Sequence, residues 1–520
     1  MNRKTLNLVP KLLVPALIVV LLILSSCTAE TPEGSSYTIA DSTGDWGYPS
    51  PYTHYPRGPG YTRMSFIFEP LVWKDASAFI PALAREWEYV AEENAYIFKL
   101  RNNATWHDGT KFTADDVVFT FDYTQQHLFQ WVDSSIIKSA EAIDEYTVKL
   151  YLSKPYAPFF QDVAGTQPIM PRHIWEGIEE PEKFAAPKAV IGTGPYTLVD
   201  YSKEHGTYLY KAYADYYLGK PSVDEIKFVK ISAEVIPAAL KEGSVSAGDV
   251  PPEVVSEMEE ASLIVITAPV AWNAKMMINH QKEPLSSKQF RQALAYAIDR
   301  ESLVQIAQRG HALAGSPGMM PSTSDWYNPD TPQYKYDPAK AKQLLEGQGY
   351  KLEGGYFTKD DRLLEIELLT TSDFKEVGQF VKQQLEEVGM KINFRTMEAK
   401  TVDAKVGAWD FDLSIYGHGA LYDPAFLKKW IMDEDFKSAR YTSNEILNEL
   451  LEAQLAEMDT EKRKGLVFEI QEVYAEDLPA LTLYYPKWYW AHNGTVSLFY
   501  TKDGLAFGVP IPLNRMSFVE

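Results

Sequence analysis

The sequence predicts an α/β protein of more than one domain. Two observations carry this: strand-like and helix-like segments alternate along the chain, and 520 residues exceed what one core usually organises. At ~150 residues per domain, the length suggests about three domains. Apolar residues make up 45% of the chain and charged residues 23%, a balance too apolar for a disordered polymer. No internal repeat or low-complexity tract points to a solenoid.

The first segment is an address. Arg3, Lys4 and Lys11 form a basic start, followed by the apolar run Leu12 to Leu24, interrupted only by Pro15. That run is too short to span a hydrocarbon core of ~30 Å, and it fits the core of a signal peptide. It ends in Leu24-Ser25-Ser26-Cys27. This resembles the bacterial lipobox, in which a cysteine after two small residues is lipidated and becomes the new N-terminus. Cys27 is the single cysteine in the chain, which excludes an internal disulfide framework, a zinc ribbon and a CxxC redox site. Cleavage before Cys27 leaves 494 residues. Loss of three basic residues with the leader moves the net charge from −21 to −24. Residues 28–36 are small and polar and read as a flexible tether. No later apolar run reaches the ~18 residues of a membrane span.

The following elements read in order. Residues 96–101 suit a strand, and Asp108-Gly109 a turn. Thr113 is placed to cap a helix through Val117, Val118 and Phe121, with Asp115 and Asp116 favoured by the helix dipole. From Ser286 a capped helix carries Phe290, Leu294, Ala297 and Ile298 at helical spacing, and a second starts at Arg300 and stops at Gly310. Asp337-Pro338 is an N-cap followed by proline at the first helical position, in a helix ending near Gly347. Residues 373–388 form an amphipathic helix stopped by Gly389, and 391–396 a strand. Residues 444–458 set Ile446, Leu447, Leu450, Leu451 and Leu455 on one face, and a last helix covers 461–475.

Several chemistries are excluded. The acidic balance argues against nucleic acid, which needs a basic face. There is no GxxxxGK[ST] loop and no GxSxG elbow. Gly192-Thr193-Gly194-Pro195 lacks the third glycine of a dinucleotide loop. The nine histidines form no HExxH motif or tight cluster, and His107 reads as a structural residue. No cofactor or metal is expected. Asp115-Asp116 and Glu259-Glu260 read as solvated helix positions, because sequence neighbours do not face one point. Aromatics reach 13%. Rings of this kind often line clefts for sugars or peptides.

Five segments occur in order: Leu83-Ala84-Arg85-Glu86-Trp87 with Tyr96–Arg101, then Trp106-His107-Asp108-Gly109-Thr110-Lys111-Phe112-Thr113-Ala114-Asp115-Asp116-Val117, then Gly192–Tyr196, then Phe290–Arg300. Together they resemble the family 5 extracellular solute-binding proteins of ABC importers, which include oligopeptide-, dipeptide- and nickel-binding proteins. The resemblance covers residues from about 37 to 520. It implies a type II-like, two-lobed periplasmic-binding-protein fold of the large class with an extra subdomain. One lobe would hold 37–268 and 488–520, with the subdomain near 75–188, and the other 274–484. Hinge crossings would lie at 269–273 and 485–488. The implied protein is a monomeric, lipid-anchored extracytoplasmic receptor without catalytic activity. It would close over a small solute, a peptide foremost, and deliver it to a permease with separate ATPase subunits.

Ligand-site candidates follow from position. Trp46 and Tyr48 lie in a Gly/Pro/Tyr-rich loop after the first mature strand. Trp272 and Asn273 lie at the first crossing and Trp488 at the second. Peptide-binding relatives pair the ligand's amino terminus with an acid in a Trp-x-x-Asp-Tyr segment. The matching stretch here is Gly417-His418-Gly419-Ala420-Leu421-Tyr422-Asp423-Pro424, which places Ala420 where that acid is expected. Tyr422 and Asp423 remain candidates, Asp423 also being a plain turn former before proline. The stretch equally resembles that of nickel-binding relatives, with His418 in place of a tryptophan and able to ligate a chelated metal. An oligosaccharide is a further possible ligand within the family. The charge of the mature chain mildly favours cationic or neutral solutes. A carbohydrate-active enzyme is the rival from another class, and it would require two cleft carboxylates ~5–10 Å apart.

Overall fold

The computed structural model describes residues 35–74, 79–267, 270, 272–419, 423–434, 437–496, 498 and 515–519. The leader, Cys27 and residues 28–34 lie outside the described residues; Ser36, expected in the tether, instead starts the first strand, paired with Glu225.

The chain builds two lobes, each around its own mixed sheet. The first sheet has seven strands in the order Ile264–Thr267, Tyr489–His492, Ala247–Val250, Ser36–Asp41, Glu225–Lys230, Thr207–Ala212 and Tyr196–Ser202. Ser36–Asp41 runs parallel to Glu225–Lys230, pairing Tyr37 with Ile226 and Ile39 with Phe228, and all four side chains are buried. A four-stranded antiparallel sheet flanks this lobe: Ala84–Val90, Ala95–Leu100, Thr147–Leu152 and Ile137–Asp144.

The second sheet has six strands: Ala312–Ala314, Ala480–Pro486, Trp272–Ile278, Leu413–Gly419, Glu365–Thr370 and Lys391–Thr396. Three of its helices start where a side-chain oxygen meets a free backbone N–H group. Ser287 caps Lys288–Ala297, Asp299 caps Arg300–Ala307 and Asp337 caps Pro338–Gly347. Gly389, at φ 111°, ends Lys375–Val388 in the left-handed conformation that glycine tolerates best. Phe290, Leu294, Ala297 and Ile298 are all buried, each large side chain contributing about 1.5–3 kcal/mol relative to exposure.

Two expectations fail locally. Ile446 is 64% exposed, whereas Leu447, Leu451 and Leu455 of Glu445–Ala456 are buried. At 3.6 residues per turn, Ile446 points about 100° away from Leu447. Asp116 is not solvated: it is 6% exposed. Its Oδ2 accepts the Thr113 backbone N–H at 3.0 Å and the Trp106 indole N–H at 3.3 Å, and its Oδ1 accepts the Arg172 N–H at 3.0 Å. Thr113 and Asp116 thus form a capping box that also ties down a segment 56 residues away. The signature turn belongs to the same scaffold. His107 Nε2 bonds the Gly194 carbonyl at 2.8 Å. A Cβ on Gly194 would sit 2.5 Å from the Phe66 carbonyl oxygen, so only glycine fits there.

The chain passes from the first sheet to the second between Thr267 and Trp272 and returns between Pro486 and Tyr489. Beside the return, the Lys487 N–H donates to the His311 carbonyl at 3.0 Å, and Arg309 pairs with Glu253 at 2.5 Å. The lobes meet at a second place. There the Ala157 N–H donates to the Leu455 carbonyl at 2.7 Å, Lys154 lies 3.6 Å from Glu452, and Met458 packs on the first lobe's core. Among the described residues, no helix is long and apolar enough to cross a membrane.

Candidate functional site

Between the lobes lies a cavity of about 800 Å³, within the range of small-ligand sites. The first lobe contributes Trp46, Arg57, Gln130 and Trp131, and the second Trp272, His418, Lys429, Trp430 and Lys437, with Trp488 at the return crossing.

The first-lobe wall is held from beneath. Asp41, at the end of its strand, accepts the Trp46 indole N–H at 2.8 Å and pairs with buried Arg63. Trp131 stacks on His54 at a centroid distance of 6.1 Å and donates its indole N–H to His54 Nε2 at 2.8 Å. Burial pushes His54 down to about 4, backbone hydrogen bonds opposing, so the imidazole stays neutral and can accept that bond. Both indole N–H groups are therefore satisfied within the lobe. These two tryptophans offer a ligand their faces.

The second-lobe wall grows from two neighbouring strands. Trp272 pairs with Gly419 and Asn273 with His418 in antiparallel register, so the Asn273 and His418 side chains share one sheet face. Trp272 lies on the other face, over Gly417. A Cβ on Gly417 would fall 1.7 Å from the indole Cζ2, so glycine is what lets the ring lie flat. Trp272 also stacks on Phe374, with centroids 6.2 Å apart and planes 3° apart, and abuts Trp488 at 6.5 Å. His418 is 2% exposed and stacks on Trp430 at 4.4 Å. Its Nδ1 lies 3.4 Å from the Gly419 carbonyl, while Nε2 has no hydrogen-bond partner. Burial first, then the charges of Lys275, Lys437 and Lys429, hold this imidazole well below its ordinary range, so it is neutral. Neither amide atom of buried Asn273 has a partner, and nor does the Trp430 indole nitrogen.

The structure thus brings Trp46, Trp272, His418 and Trp488 around one cavity. Tyr48 does not line it. Its hydroxyl donates to the Ala186 carbonyl at 3.3 Å and its ring packs edge-on against Tyr201 at 5.7 Å, inside the first lobe. Asp423 also lies elsewhere. Both its oxygens accept from Arg463, at 2.9 and 2.5 Å, and it caps the following turn through the Ala425 N–H at 2.8 Å. Tyr422 lies outside the described residues. Sequence reading missed Arg57, Trp131, Lys429, Trp430 and Lys437, which no motif singles out. The cavity's charge also departs from the chain's acidic balance: among the described lining residues, Arg57, Lys429 and Lys437 face one carboxylate, Asp45. Asp45 already accepts the Gly47 N–H at 3.0 Å and the Tyr201 hydroxyl at 2.7 Å.

A second cavity, of about 490 Å³, lies where the lobes meet near Leu455. It shares Lys429 with the first and is lined by Tyr156 and Asp162 from one lobe and Asp423 from the other. Tyr156 donates to Asp162 at 2.5 Å. Burial, then the Asp423 charge, push the Asp162 carboxyl up to about 7, with Tyr156, Arg463 and Lys429 opposing.

Residues 78–431 match the family model described as bacterial extracellular solute-binding proteins, family 5, middle. The dipeptide-binding protein of Escherichia coli K12 is 29% identical over 346 residues, 61% of this chain and 63% of that protein, so the match spans under two thirds of the relative's length. The oligopeptide-binding protein AppA of Bacillus subtilis 168 is 27% identical over 415 residues, 75% of each chain. In fold, the chain is similar to the periplasmic oligopeptide-binding protein of an oligopeptide ABC transporter from Thermotoga maritima. The TM-score there is 0.81 at 22% identity, over 94% of this chain and 99% of that one.

Proposed function

Because the chain belongs to the family 5 bacterial extracellular solute-binding proteins, we propose that it is the receptor of an ABC importer. It captures a peptide between its lobes and passes it to a membrane permease driven by separate ATPase subunits. The lobes comprise 37–268 with 488–520 and 274–484, the subdomain lies near 75–188, and closure turns on the two crossings. Closure stores the recognition signal, since a ligand favours the closed form only by its differential affinity for it. A lipid on Cys27 tethers the receptor to the membrane surface.

The observation that carries this reading is the cavity between the lobes, walled by tryptophans from both. Rigid rings bury large area at small entropic cost and tolerate varied side chains. Isothermal titration with a peptide library, glucans and nickel–histidine tests it, together with small-angle scattering. A peptide that binds and reduces the radius of gyration supports the proposal. Binding of glucans alone, or scattering unchanged by every solute, overturns it.

A second reading rests on one atom. His418 Nε2 is buried, unpartnered and neutral, the state in which imidazole ligates a metal. Under this reading the solute is a metal chelate, and nickel–histidine gives the heat in the same titration.

A further inference from the structure

The second cavity, where the lobes meet beside Leu455, holds a carboxyl group that no base of the chain neutralises. Asp162 reaches this cavity from a five-residue π-helical turn, Phe160–Ala164, a backbone form frequent at functional sites. The other lining acids are spent. Asp423 accepts two hydrogen bonds from Arg463. Asp433 lies 3.3 Å from Lys428, and Glu452 lies 3.3 Å from Lys428 and 3.6 Å from Lys154. Asp133 is exposed and accepts the Ser135 N–H and hydroxyl at 3.0 and 2.7 Å. Asp162 is half-buried. Among the described residues, its carboxyl has one hydrogen-bond partner, the neutral Tyr156 hydroxyl, and forms no ion pair. Across the lobe boundary, the Asp423 charge acts on it. Two acids brought together by closure repel unless a proton or another cation joins them. Burial and the Asp423 charge hold the Asp162 carboxyl up to about 7, with the Tyr156 bond and the more distant charges of Arg463 and Lys429 opposing.

We infer that this second cavity is a subsite for a cationic group of the solute, an ammonium on an alkyl stem that pairs with Asp162 as the lobes close. This rests on the receptor reading above and names part of the solute it takes. Ile136, Phe426 and Leu455 line the same cavity and cover the stem, as long basic side chains lay theirs on apolar surface. Lys429 lines both cavities, so a solute seated among the tryptophans reaches this one with a side chain or an end. A solute lacking such a group leaves the carboxyl to take up a proton on closure instead. The two kinds of solute therefore respond differently to pH.

The test is calorimetric titration of the full-length mature protein at pH 7 with two pairs of peptides. Acetyl-Ala-Phe-Lys-amide is set against its norleucine counterpart, and Ala-Phe-Ala-amide against acetyl-Ala-Phe-Ala-amide. In at least one pair the cationic member should bind fivefold more tightly or better. A gain for lysine assigns the cation to a side chain, and a gain for the free amine assigns it to the amino terminus. In Asp162→Asn protein, its fold checked by circular dichroism, the gain should vanish while the norleucine peptide still binds. From pH 5 to 7 the neutral member should lose affinity several-fold and the favoured cationic member should not. A gain below fivefold in both pairs overturns the inference, as does a gain that Asp162→Asn retains. Should that variant not fold, the pH series on the parent decides, and parallel slopes for the two members overturn it. Should no peptide bind, the peptide reading fails by itself. The cation subsite is then decided by 1,5-diaminopentane, which must bind the parent and lose binding in Asp162→Asn; no binding overturns it.

Discussion

Asp423→Ala separates a scaffold role from a ligand role at the one acid of the Tyr-Asp-Pro stretch. Arg463 has a side chain only 5% exposed and Asp423 one 20% exposed, and they meet through two hydrogen bonds. Removing the carboxylate leaves a guanidinium buried with a neutral partner, Gln454, whose oxygens accept at 2.9–3.2 Å. Breaking a buried pair from one side costs about 3–5 kcal/mol. The remaining Gln454 bonds and the partial exposure of Asp423 set the expectation at the lower end, about 3 kcal/mol. For a lobe of this size each kcal/mol moves the midpoint by about 2–4 °C, so the variant should melt roughly 6–12 °C lower. Asp423→Ala/Arg463→Met, which removes both charges, should recover most of that loss. Calorimetric melting of the three proteins without ligand checks this. An Asp423→Ala midpoint within 1–2 °C of the parent, together with lost peptide affinity, would refute the scaffold assignment and return Asp423 to the binding site.

Two further outcomes follow. Parting the lobes where they meet would rewet Asp162, so its carboxyl, held up to about 7 there, would return toward the ordinary ~4. Closure therefore takes up a proton between those values. Affinity should fall as pH rises from about 4 and level off above about 7, the three-unit shift setting an upper bound of about a thousandfold overall, and Asp162→Asn should flatten the curve; a flat parent profile contradicts this. Gly417→Ala puts a methyl where the Trp272 ring lies, an overpacking worth about 1–3 kcal/mol, so the ring must leave the cleft floor. Tryptophan emission should shift and affinity drop, whereas an unchanged spectrum would place Trp272 off that floor.

Local grammar was the legible part of the fold. Asp337-Pro338, Gly389 and Thr113 each announce a helix boundary through contacts made within a few residues, and the structure uses all three in those roles. Asp116 escaped because its burial depends on Arg172, whose backbone arrives from elsewhere in the chain. In the cleft, Trp46, Trp272 and Trp488 were readable because crossings and glycine-rich loops mark where lobes face each other. Trp131 and Trp430 carry no such mark. One is set by a histidine 77 residues away and the other by a stacked ring on a neighbouring strand. The sign of the local charge was unreadable for a related reason: 71 acidic residues set the total, but it is Lys275, Lys437 and Lys429 whose charges act on His418 in this wall.

The strand Tyr489–His492 is wedged between Ala247–Val250 and Ile264–Thr267, with His492 opposite both Ala247 and Ile264. A ribosome delivers the flanking strands more than 220 residues before the wedge. Until it arrives, the seven-stranded layer has a slot with two raw edges, whereas Trp272–Pro486 can assemble from uninterrupted chain. The half made first is thus the half finished last. For a polypeptide made from its N-terminus onward, the largest sheet therefore cannot lock until almost the whole chain is available.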